Sequence, residues 1–186
     1  MSLKNLARII ANCPEKHPNL CVDDITHPSD PYYLDTLKTM IPLGTYDMKG
    51  YDSNKNAELR GTLDVSYGEK SIHFDVQFKF PIISEDEVIR REGKVSADST
   101  GKAVYSTMTT KSGFAPFKAT KQMKCVSKDV DSVTLVGYGS STSTGKYHCG
   151  TNVKKIFTST GPNSFRVETY LDDKPAYRFD YQRKVM

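Results

Sequence analysis

The sequence has no tryptophan, no Asn-x-Ser/Thr acceptor for N-glycosylation, and no apolar run of membrane-spanning length. A spanning helix needs about 20 mostly apolar residues, so none is expected. The opening stretch, MSLKNLARIIANC, lacks the apolar segment of a secretory leader. No charge of one sign dominates: 26 Lys+Arg stand against 22 Asp+Glu, scattered along the chain. Nucleic-acid binding needs a clustered basic face, so nucleic acid is not an expected partner. Histidines and cysteines are few, four of each. His17, His27, His73 and His148 show no metal-ligand spacing. His148 and Cys149, adjacent in a strand, would point to opposite faces. There is no Gly-x-Gly-x-x-Gly, Walker loop or Gly-x-Ser-x-Gly elbow. Gly145-Lys146 has no helix after it, and Glu85-Asp86-Glu87 reads as a solvated turn. The residues therefore name no cofactor, no metal and no catalytic constellation.

The cysteines leave cytoplasm and secretion both open, the missing leader tilting slightly to cytoplasm. Cys13 and Cys21 lie eight residues apart across a proline-rich loop and could pair locally. Cys125 and Cys149 fall in the sixth and eighth strands read below. One intervening strand separates such positions by about 9–10 Å, beyond the roughly 7 Å Cα limit for a disulfide. No 125–149 bridge is expected if both lie mid-strand.

What is present is ordinary for a globular domain: 186 residues, 37% hydrophobic and 26% charged, enough for one domain with its own core. The chain divides near Gly44. Residues 1–43 read as a helical segment and 44–186 as an all-β domain. In SLKNLARIIAN, Leu3, Leu6, Ile9 and Ile10 fall at helical spacing. In SDPYYLDTLKTM, Asp30 suits the cap and Pro31 the first helical position. Tyr33, Leu34, Leu37 and Met40 form its apolar stripe, and Pro42 stops it. These stripes need a partner, so one helix is expected to close an end of the β domain.

After Gly44 the period becomes two. Strands are predicted near Thr45–Gly50, Leu59–Tyr67, Ile72–Phe80, Val88–Ser96, Ala103–Thr110, Ala119–Val126, Val133–Tyr138, Tyr147–Phe157, Phe165–Leu171 and Ala176–Lys184. SIHFDVQFKF is the clearest: Ile72, Phe74, Val76, Phe78 and Phe80 share one face, and His73, Asp75, Gln77 and Lys79 the other. The connections are turn-like and too short for crossover helices. Successive hairpins favour an antiparallel up-and-down β-barrel of about 8–10 strands over a sandwich, which usually needs long Greek-key crossings. Such a barrel can enclose one small ligand. Leu63 shares its face with Leu59, Gly61, Val65 and Tyr67. In the last strand Tyr177, Phe179, Tyr181 and Arg183 share one face.

Gly44-Thr45-Tyr46 opening the first strand, with an arginine in the last, resembles the calycin superfamily of lipocalins, fatty-acid-binding proteins and nitrobindin-like barrels. There a Gly-x-Trp in the first strand packs against a basic residue near the end. The resemblance implies that Tyr46 stands where the tryptophan would, and Arg183 or Arg178 where the basic residue would. Fatty-acid-binding proteins bind a ligand carboxylate through Arg-x-Tyr in the last strand; here the order is Tyr181-x-Arg183. The chain departs from the pattern in lacking tryptophan and in placing its helices before the barrel.

The resulting expectation is a binding protein for a small apolar or amphipathic molecule, such as a lipid, tetrapyrrole or pigment. Arg183, Tyr181 and Tyr177 would form the polar end. Phe74, Val76, Phe78 and Leu63 would line the apolar part, with Tyr46 against the arginine. Two other classes stay open. One is a barrel enzyme (isomerase, cyclase or chromophore lyase) using Arg183, Tyr181 and Glu168. The other is an interaction or effector protein without a pocket.

Overall fold

The computed structural model describes residues 33–80, 84–97, 104–110, 117–141 and 148–185. The first expected helix, the capping residues Asp30 and Pro31, and Cys13 and Cys21 lie outside the described residues. Helix α1 (Tyr33–Met40) precedes ten strands: β1 (Gly44–Asp52), β2 (Ala57–Gly68), β3 (Ser71–Phe80), β4 (Ser84–Ala97), β5 (Val104–Thr110), β6 (Phe117–Lys128), β7 (Ser132–Ser141), β8 (His148–Gly161), β9 (Ser164–Leu171) and β10 (Lys174–Arg183). Each strand pairs with the next in sequence. β1 and β10 also pair, antiparallel, so the sheet closes into the expected up-and-down barrel. Closure satisfies the backbone of both edge strands, which would otherwise expose a row of unpaired groups.

Local chemistry sets the turns. Asp172 and Asp173 both have positive φ, 48° and 62°. That is the two-residue hairpin geometry whose twist matches the flanking strands, and aspartate tolerates it better than most residues. Between β1 and β2, the buried Asp52 carboxylate accepts hydrogen bonds from the amides of Asn54 and Lys55 at 2.9 and 3.2 Å.

Register fixes which side chains look inward. Tyr46 lies opposite Arg183, and Met48 opposite Tyr181, across β1–β10. Tyr46 also faces Leu63, Leu63 faces Val76, and Val76 faces Arg91. The apolar parity of β1, β2, β3 and β10 thus enters the barrel. Their alternates on β1, β2 and β10, such as Asp47, Lys49, Glu58, Arg60 and Arg178, are exposed. That outer face is charged where a transmembrane barrel would carry an apolar band. No described helix is long and apolar enough to cross a membrane.

α1 covers one end of the barrel. Its buried side chains are Tyr33, Leu34, Leu37 and Met40, the stripe expected from spacing, and it touches β3, β6, β7 and β8. Its C-terminal carbonyls, which have no partner within a helix, are met by the barrel. The Tyr67 hydroxyl lies 2.7 Å from both the Lys38 and Ile41 carbonyls, and has one proton to share between them. Tyr46 donates its hydroxyl to the Pro42 carbonyl at 2.6 Å. The Lys38 ammonium in turn reaches the Gly68 carbonyl in the β2–β3 turn at 3.1 Å.

Candidate functional site in the barrel lumen

Below the helix the inward side chains pack tightly. Tyr46, Leu63, Ile72, Val153 and Phe165 are essentially inaccessible. Tyr46 meets Phe165 edge-on at 5.2 Å, and Phe165 stacks on Tyr181 at 4.5 Å. Further along the lumen the packing opens into a cavity of about 150 Å³. Phe74, Val76, Arg91, Lys155, Val167 and Phe179 point inward yet keep partial accessibility, because they face that space. Eight strands make an interior that side chains just fill or that holds one small ligand; ten make a wider one.

The cavity lining includes five of the expected site residues: Leu63, Phe74, Val76, Phe78 and Tyr181. The other three are placed elsewhere. Tyr46 is wholly buried under the plug, with its hydroxyl on Pro42. Arg183 sits at the plugged end, above Gly44. A Cβ on Gly44 would come within 2.9 Å of the Arg183 Nε, and Gly44 has φ +142°. The guanidinium pulls down the pKa values of Tyr46 and Tyr67, which burial raises more strongly. Arg183 therefore lies opposite Tyr46 and is not among the residues lining the cavity. Tyr177 stacks on Phe179 at 6.2 Å at the far end of β10, outside the lining. Glu168, paired with exposed Arg178, lies on the outer parity of β9, so Arg183, Tyr181 and Glu168 are not brought together.

Sequence reasoning missed two residues that the lumen does contain. Arg91 on β4 and Lys155 on β8 both line the cavity. A signal for each was present: Ile89-x-Arg91-x-Gly93-x-Val95 and Val153-x-Lys155-x-Phe157 put a cation on an otherwise apolar parity. Burial lowers the pKa of both. For Lys155 the neighbouring Arg91 charge lowers it further, while Tyr177 and Asp52 partly offset the effect on Arg91. The Arg91 guanidinium lies 5.0 Å from the centre of the Phe78 ring, a cation–π contact. Phe157, Phe165, Val167, Thr169 and Met48 complete much of the remaining wall. Burial pushes the Tyr181 hydroxyl pKa up, so it is neutral at physiological pH. Cys125 is a buried thiol at 3.5 Å from the Ser127 carbonyl oxygen. Among the described residues no group of His, Cys, Asp and Glu could hold a metal ion.

No protein-family model and no curated protein matches the chain. Among solved structures it is similar to a de novo designed fluorescence-activating β-barrel, with 13% identity, TM-score 0.42, and coverage of 79% of this chain and 97% of that one. It is also similar to a redesigned β-barrel bound to DFHBI, with 12% identity, TM-score 0.40, and coverage of 77% and 99%. Likeness at this level carries no argument about ligand or function.

Proposed function

We propose that this chain is a binding protein whose barrel lumen holds a small apolar or amphipathic molecule. The observation that carries the reading is the cavity itself: about 150 Å³ left open among inward-facing Phe74, Val76, Val167 and Phe179. Concave, mostly apolar pockets with a few placed polar groups are the usual form of small-molecule sites. The volume narrows the ligand. Drug-sized ligands occupy pockets of roughly 300–1,000 Å³, whereas a cavity on the order of 150 Å³ takes benzene. A single ring fits the space between these side chains. Titration with phenol, followed by amide chemical shifts, tests the reading. Saturable shifts at Val76, Val167 and Phe179 are expected. No saturable change at those amides contradicts it.

A further inference from the structure

Among the described residues that line the cavity every charged side chain is a cation: Arg91, Lys94 and Lys155. Arg91 and Lys155 belong to strands four apart around the ring of ten, so they approach from opposite walls. The Arg91 Nε is buried and has no hydrogen-bond partner. Among the described residues, neither cation has a carboxylate within ion-pair distance. The acid whose charge acts on Arg91 is Asp52, and its Oδ1 is already engaged by the amides of Asn54 and Lys55. A guanidinium only donates and stays charged, and a buried charge without a counter-charge is strongly unfavourable. Two of them facing one cavity are the complement of an anion.

We propose that Arg91 and Lys155 form an anion subsite that holds the carboxylate of a small amphipathic ligand, with the ligand's ring in the apolar cavity beside Phe74 and Val167. The inference rests on the lumen-binding reading above and adds the charge of the ligand. A planar carboxylate suits the guanidinium fork, which can engage both oxygens. The ammonium supplies a second donor from across the lumen. This places acid recognition on β4 and β8, away from Arg183 at the plugged end of the last strand.

Benzoate and benzamide test the proposal, because they match in shape and differ in charge. Titrated calorimetrically at neutral pH, benzoate should bind at least tenfold more tightly than benzamide, the scale of charge-assisted hydrogen bonds in a dry site. Arg91→Met and Lys155→Met should each remove most of that preference. Equal binding of the two probes leaves the lumen reading standing and overturns the anion subsite. Binding of neither overturns both. A preference that survives in both variants places the anion elsewhere and also overturns the subsite. A wild-type comparison covers variants that fail to fold: millimolar benzoate should raise the unfolding midpoint, and benzamide at equal concentration should raise it less. Equal shifts would again overturn the proposal.

Discussion

Gly44 and Arg183 meet where the helical plug joins the barrel. Any side chain at Gly44 meets two obstacles: its φ of +142° and the Arg183 guanidinium 2.9 Å from where Cβ would sit. Gly44→Ala should therefore cost more than about 1 kcal/mol, read from denaturant unfolding. In an Arg183→Ala background the steric part should vanish and the backbone part remain. Full additivity would mean that the two residues do not touch. Lys155 gives a prediction in pH. Its folded pKa lies below its ordinary value, so the folded state binds fewer protons between that lowered value and about 10.4. Stability contributed by this residue therefore rises with pH through that window. Tyr46, Tyr67 and Tyr181 act oppositely, since their raised values make stability fall once pH passes about 10. Lys155→Met should be neutral or stabilising near pH 7, and its advantage over wild type should shrink as pH climbs toward 10. A constant difference across that range would show that Lys155 is not held in a desolvating site. Arg91 and Lys155 were legible in principle, as cations on an apolar parity. Arg183 drew attention instead because it ends an aromatic strand, and sequence alone does not say how far down the lumen a strand end lies.

Among the elements, α1 ties its own stripe to the barrel's hydroxyls. Leu37 is fully buried, and Leu37→Ala should lower stability by about 2–5 kcal/mol. Tyr67→Phe removes only the proton shared by the Lys38 and Ile41 carbonyls and should cost about 0.5–1.5 kcal/mol. Equilibrium unfolding of both variants checks the ranking; a Leu37→Ala loss no larger than that of Tyr67→Phe would mean that the helix is not seated as described. The helix stripe and the strand faces could be read beforehand because each obeys a short period. Ile72, Phe74, Val76 and Phe78 entered the lumen by the face their alternation gave, and Tyr33, Leu34, Leu37 and Met40 are the buried side of α1. What the period could not supply was closure. The pairing of Tyr46 with Arg183 depends on the curvature of ten strands, not on any local pattern. The cavity was equally invisible, since an inward phenylalanine reads the same whether it meets another side chain or open space.

At the scale of the whole molecule, ligand binding requires a lumen that is open, not filled. Val167 faces the cavity from β9, so Val167→Phe adds volume where space is claimed. The decisive measurement is the unfolding free energy of this variant, paired with phenol titration. Stability should be unchanged or raised, because the added ring buries apolar surface in existing space, and phenol binding should be lost. A loss of about 1–3 kcal/mol, the usual result of overpacking a filled core, would contradict an open lumen.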